Sequence, residues 1–273
     1  MKRNQSFAMS TSSQRSLTDE FYLGSNGHQL NVEVVSPSGN PESSPVVVLL
    51  HHGLGSLRSW SDTTPALVAA GYRVVAYDRW GYGHSDPRQG VGMPYFEDDL
   101  KDLQAICGQI GIEPVSLIGH SDGGTIALYY AARFPEQVAA MVVVAAHAYV
   151  EQEMESGILG VRSAYERDER FRAGLRRLHG EKTDQVFYNW FDGWRRSENR
   201  NWDMRAQLER ITSPTLVVQG VEDEHATPQH ARDIAAAIPA AELWLAPGAR
   251  HMLPQDMPED FNERIISFLA SST

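Results

Sequence analysis

Gly119-His120-Ser121-Asp122-Gly123 sets one serine between a histidine and an aspartate and brackets all three with glycine. The run before it, "VSLIG", is short and apolar, and the run after it, "DGGTIALYYAARFP", has a helical pattern. The serine therefore stands where a strand turns into a helix, the setting of a nucleophile elbow. Such a turn holds its side chain clear of the backbone, and only small neighbours let strand and helix pass closely. Gly119 and Gly123 are those neighbours. The chemistry this suits is nucleophilic attack on a carbonyl carbon.

A serine hydroxyl is a weak nucleophile at neutral pH, so it needs a base within reach and a carboxylate to orient that base. Downstream, "PTLVVQG" reads as a strand and runs into "VEDEHATP", which puts Asp223 just past its carboxyl end, where ligands gather in open α/β sheets. Asp223 is the candidate acid, with Glu222 and Glu224 as competitors. After the next strand-like run, "AELWLA", the loop "PGARHMLP" carries His251, the candidate base. An oxyanion hole is required too, because negative charge develops on the former carbonyl oxygen. One donor is the backbone N–H of Asp122; the second is assigned to Leu54 N–H in "HHGLG", the loop after "VVVLL". His52 in that loop is read as stiffening it and joins the candidate substrate-binding residues. The Asp122 side chain poses a problem, since a carboxylate beside a developing oxyanion raises the barrier unless it points away or meets a cation. It reads either as an acid favoured at a helix amino end or as a group that recognises a substrate ammonium.

These residues need a scaffold that brings loops together at one edge of a sheet. "VVVLL", "RVVAYD", "VSLIG", "VAAMVVV", "PTLVVQG" and "AELWLA" alternate with helical runs, which implies a mostly parallel sheet with helices on both faces. Two β-like runs around Asn26-Gly27 open the fold as an antiparallel hairpin. The rhythm breaks between 151 and 210, a stretch rich in Glu, Arg and aromatics that reads as a helical insertion. The expected organisation is a flexible tail over 1–20, an α/β core over 21–150 and 211–273, and a helical cap over 151–210.

Composition narrows the function classes. The 273 residues fit one large domain, and 42% hydrophobic with 22% charged residues is ordinary for a globular chain. A formal net charge of -11 argues against a nucleic-acid backbone or an anionic membrane surface as partner. The single cysteine, Cys107, allows no internal disulfide. The basic start lacks the apolar stretch of a secretory signal, and no run reaches membrane-spanning length, so a cytoplasmic location is expected. His51 and His52 are adjacent, and His225 and His230 stand five apart, spacings that support no zinc site.

Together the serine elbow, Asp223, His251, "HHGLG" and "DRWGYGHSDP" resemble the α/β-hydrolase superfamily over about residues 20 to 270. The resemblance implies a helical lid at the insertion, a serine hydrolase of carboxylic esters or lactones working through an acyl-enzyme, and no cofactor. Asp78 and Arg79 are read as structural. Carbon–carbon bond hydrolysis, amide hydrolysis and perhydrolysis run on the same triad, and a slow-turnover receptor can keep it. Trp190, Trp194, Trp202, Phe187 and Tyr188 in the insertion either line a hydrophobic pocket or fasten the lid to the core; His147 and Tyr149, past the sixth strand, are further pocket candidates. The natural substrate and the oligomeric state stay open.

Overall fold

The computed structural model describes residues 16–38, 41–111 and 114–272. Eight strands form one sheet in the order β1-β2-β4-β3-β5-β6-β7-β8. They are β1 (Leu17–Ser25), β2 (His28–Ser36), β3 (Val46–Leu50), β4 (Arg73–Tyr77), β5 (Val115–His120), β6 (Val138–Val144), β7 (Thr215–Gly220) and β8 (Ala241–Ala246). β1 to β2 and β2 to β4 are antiparallel, and the remaining neighbours are parallel. Asn26 and Gly27 close the β1–β2 hairpin with positive φ at both positions, as an Asn-Gly turn demands.

Burial on both faces explains the unbroken apolar runs. Along β3, Val47 and Leu49 pack with Leu67 and Val68 of α1 (Thr63–Ala69) and with Phe261, Ile265 and Leu269 of α10 (Pro258–Ser271). Val48 and Leu50 point the other way, into the cluster holding Leu103 and Ile106 of α2 (Glu97–Ile110), Ile126 and Tyr130 of α3 (Asp122–Arg133), and Ile234 of α8 (Pro228–Ala237). Period-two alternation in β3 thus serves two cores at once, and neither face of that strand is left for polar residues.

Between β6 and β7 the chain forms α4 (Met154–Arg167), α5 (Glu169–His179), α6 (Thr183–Arg195) and the short α7 (Arg205–Leu208). The base of this insertion is stitched by main-chain bonds from Val150 N to Trp202 O (3.2 Å) and from Met204 N to Ala148 O (2.8 Å). The expected tail over 1–20 overlaps the sheet: Leu17 to Glu20 pair with Ser36 to Glu33 as the start of β1. An edge strand exposed on both faces carries no apolar alternation, so this segment gave no strand signal. Residues 1–15 lie outside the described residues. α9 (Leu253–Asp256), a single turn, follows the loop bearing His251.

Candidate active site

Ser121 sits between β5 and α3 with φ 54° and ψ -118°, a conformation an L-residue adopts only under constraint. The constraint is visible. Ser121 N donates to Val144 O at 2.8 Å, and Ser121 O accepts from Thr125 N at 3.0 Å. A Cβ on Gly119 would collide with the Gly123 carbonyl, and one on Gly123 with the Leu50 carbonyl, so both glycines are needed for strand and helix to pass. His120 faces the other side of the turn, where its Nε2–H donates to His251 O at 2.9 Å. Burial and the neighbouring His251 push its pKa down to about 3, so this imidazole is a neutral strut that ties the elbow to the last loop.

Asp223 and His251 meet as the sequence suggested. His251 Nδ1 lies 3.0 Å from both Asp223 carboxylate oxygens. The carboxylate also accepts from Gln219 Nε2 (2.7 Å), His225 N (2.7 Å) and Ala226 N (3.3 Å). Burial alone would raise its pKa; the His251 imidazole and these donors outweigh that and hold it at about 2. Glu224 is otherwise engaged, pairing with Arg250 at 3.0 Å and accepting from His251 N at 3.2 Å. Ser121 and His251 line one cavity.

The loop after β3 is held from two sides. His51 Nε2 accepts from Arg79 N (3.1 Å) and its Nδ1–H donates to His52 O (2.8 Å), so His51, more than His52, stiffens this loop. From α5, His179 Nε2–H donates to Leu54 O (3.0 Å) while its Nδ1 accepts from Gly83 N (3.0 Å). That leaves the Leu54 carbonyl spoken for, and among the described residues no backbone bond uses its amide. Asp122 N–H is in the first turn of α3, where helical geometry supplies no acceptor.

A family model described as the alpha/beta hydrolase fold matches residues 45–207. The chain belongs to the alpha/beta hydrolase family. It is 32% identical to the serine hydrolase BPHL of Homo sapiens over 251 residues, covering 89% of this chain and 84% of that protein. It is 26% identical to a bifunctional esterase/perhydrolase of Acinetobacter calcoaceticus, covering 88% and 97%. Among solved structures, a hydrolase from Pseudomonas aeruginosa superposes with a TM-score of 0.73 at 25% identity, covering 92% of this chain and 98% of that one.

The hydrolase cavity measures about 280 Å³. Of the residues singled out from sequence, His52, Leu54, Ser121, His147, Trp190, Trp194, Glu224 and His251 line it. Tyr149 does not: it stacks on His230 at 3.9 Å and donates to Asp233, an arrangement that turns its ring away. Trp202 donates to the Tyr129 hydroxyl (2.8 Å), Phe187 stacks on Tyr165, and Tyr188 is exposed, so these three serve packing or solvent. The aliphatic wall of Met154, Ile158, Val161 and Leu175, with Phe171, was not singled out from sequence; its i, i+4, i+7 spacing on α4 marked only an inward face. His225 also lines the cavity, with its ring 4.5 Å from that of His251. Among the described residues no three His, Cys, Asp or Glu side chains converge as a metal site. Among them too, no helix is long and apolar enough to cross a membrane.

The Asp122 carboxylate meets a cation. Its Oδ1 accepts from Trp194 Nε1 at 3.1 Å, and its Oδ2 lies 3.8 Å from an Arg79 terminal nitrogen. Burial raises its pKa to about 6 against the opposing pull of Arg79 and Trp194. Asp78 is structural as expected, accepting from Leu57 N, His84 N and Asn31 Nδ2 at 2.8–3.0 Å.

Proposed function

We propose that this hydrolase cleaves small or medium carboxylic esters or lactones through an acyl-enzyme on Ser121. The observation that carries the reading is the Asp223–His251 pair, bonded at 3.0 Å and opening on the same cavity as a serine held in a strained elbow. Ser121 Oγ attacks the carbonyl carbon while His251 Nε2 takes its proton, and the Leu54 and Asp122 amides hold the oxyanion. Asp223 keeps the His251 proton on Nδ1 and stabilises the imidazolium. His251 then protonates the leaving oxygen. Water enters, gives its proton to His251 and attacks the acyl carbon, releasing the acid and freeing Ser121. The chain's own residues suffice for each step.

Helices α4 to α6 act as the cap: they supply most of the apolar side chains that line the cavity, so they set the acyl or alcohol preference. A cavity of about 280 Å³ is at the small end for ligand pockets, which favours short acyl chains. Hydrolysis of p-nitrophenyl esters from acetate to laurate tests the reading, with Ser121→Ala as control. Serine-dependent turnover peaking at short chains supports it; turnover that survives Ser121→Ala refutes it. If esters fail while a fluorophosphonate labels Ser121 stoichiometrically, the same triad serves carbon–carbon bond hydrolysis, an amidase or a slow-turnover receptor.

One observation favours a narrower class. Asp122 Oδ2 is buried with no hydrogen-bond partner, and a Cβ on the cavity residue Gly53 would stand 2.7 Å from it. An ester whose acyl part bears an ammonium group would give that oxygen the hydrogen-bond donor that Arg79, 3.8 Å away, does not supply. Asp122→Asn should then lower kcat/KM on an amino-acid ester at least tenfold more than on the matching uncharged ester.

A further inference from the structure

Arg79, Arg88, Asp99 and Asp122 form a buried set of two cations and two anions, each at most 3% exposed. Asp99 receives Arg79 Nε at 2.8 Å and Arg88 NH1 at 2.9 Å, so it already has two cations. The outer nitrogens of Arg79, NH1 and NH2, make no hydrogen bond among the described residues, and the anion in front of them is Asp122, at 3.8 Å. The aim of the guanidinium is fixed: it packs over the rings of Tyr82 (4.8 Å) and Phe96 (5.4 Å), and its backbone is tied to His51. A structural arginine serving Asp99 alone would not need to present its far end to the residue beside the nucleophile.

We propose that Arg79 is a positioning residue for acyl transfer: its guanidinium neutralises the Asp122 carboxylate, so that negative charge can develop on the substrate oxygen held by the Asp122 amide. This rests on the acyl-transfer reading above. Without Arg79, a buried carboxylate next to the oxyanion hole opposes the transition state, because a low-dielectric site screens like charges poorly.

The test uses uncharged p-nitrophenyl butyrate and, independently of substrate identity, the second-order rate of Ser121 phosphonylation by a fluorophosphonate, whose phosphoryl oxygen also occupies the hole. Arg79→Gln should slow both ~100-fold at pH 8, the lower end of what loss of one oxyanion donor costs. Adding Asp122→Asn should recover at least tenfold of that loss, whereas adding Asp99→Asn should recover none. The pH profile is a readout that a merely architectural role would not move. Asp122 is faced by Arg79 and Tyr82 from the loop after β4, Asp99 from α2, the neutral Trp190 and Trp194 from α6, and His251 from the loop after β8. The deficit of Arg79→Gln relative to wild type should therefore shrink as pH falls and Asp122 takes a proton.

If Arg79→Gln does not fold by circular dichroism, Arg79→Lys carries the same test. Its deficit should grow as pH rises and the buried lysine loses its proton, and Asp122→Asn should remove that growth. Arg79→Gln within threefold of wild type, or a folded double variant with no recovery, overturns the proposal. Failure of a fluorophosphonate to label wild-type Ser121 is a distinct result that removes the acyl-transfer reading, and this proposal with it.

Discussion

Replacing Asp223 by asparagine should lower kcat by ~10³ to 10⁴-fold while leaving the fold intact, the scale expected when a triad loses the carboxylate that fixes its imidazole. The structure says why so small a change is severe. One carboxylate oxygen accepts from two backbone amides, His225 N and Ala226 N, so the asparagine oxygen must take that place. The amide NH₂ then falls where Oδ2 now accepts from Gln219 and faces His251 Nδ1. Gln219 can adapt by turning its amide, because its Oε1 is buried without a partner. His251 Nδ1 then lies 3.0 Å from the amide NH₂ as well as from the remaining oxygen, and the new donor favours the tautomer with the proton on Nε2, which blocks it from receiving the serine's. The charge is lost as well: holding the carboxyl at about 2 instead of 3.8 favours its ionised form by ~2 kcal/mol. Since a depressed folded-state pKa contributes stability above the unfolded value, the Asn variant should be less stable at neutral pH, and the gap should narrow as pH falls from about 4 towards 2. Steady-state p-nitrophenyl butyrate hydrolysis and thermal melts at several pH values give both readouts. A folded Asp223→Asn enzyme that keeps more than a tenth of wild-type kcat would refute the tautomer argument.

Gly123→Ala should destabilise the chain by ~3 kcal/mol or prevent folding, read as a fall in melting temperature, because its Cβ meets the immovable Leu50 carbonyl. Gly157→Ala puts a methyl 2.7 Å from His225 Nδ1 and against the Glu224 carbonyl, so it should push α4 off the loop bearing Asp223 and lower kcat/KM several-fold with a modest loss of melting temperature. Leu175→Trp should fill part of the cavity and shift the preferred ester towards shorter acyl chains; an unchanged chain-length profile would mean acyl groups bind elsewhere.

Much of this protein was legible because its candidate site residues sit just past strand ends, and strands buried on both faces announce themselves as apolar runs. β3, β5, β7 and β8 could be read from "VVVLL", "VSLIG", "PTLVVQG" and "AELWLA", and the loops after them carried Leu54, Ser121, Asp223 and His251. The elbow could be read from two glycines because only Gly survives contact with a neighbouring carbonyl at those positions. Choosing Asp223 over Glu222 and Glu224 rested on position past the strand, and the tertiary structure pairs that residue with His251.

What sequence order could not decide was which side chains meet across the gap between core and inserted helices. Trp190, Trp202 and Tyr149 were equally eligible, yet the first lines the cavity, the second holds Tyr129 and the third stacks on His230. The partner of Asp122 was equally hidden, since Arg79 stands 43 positions earlier and reaches it only because β4 and β5 flank β3 in the sheet. Local spacing encodes turns, caps and buried faces through short-range sterics and burial. Pairings between distant side chains are set by how strands are ordered and helices docked, and that order exists only once the chain is folded.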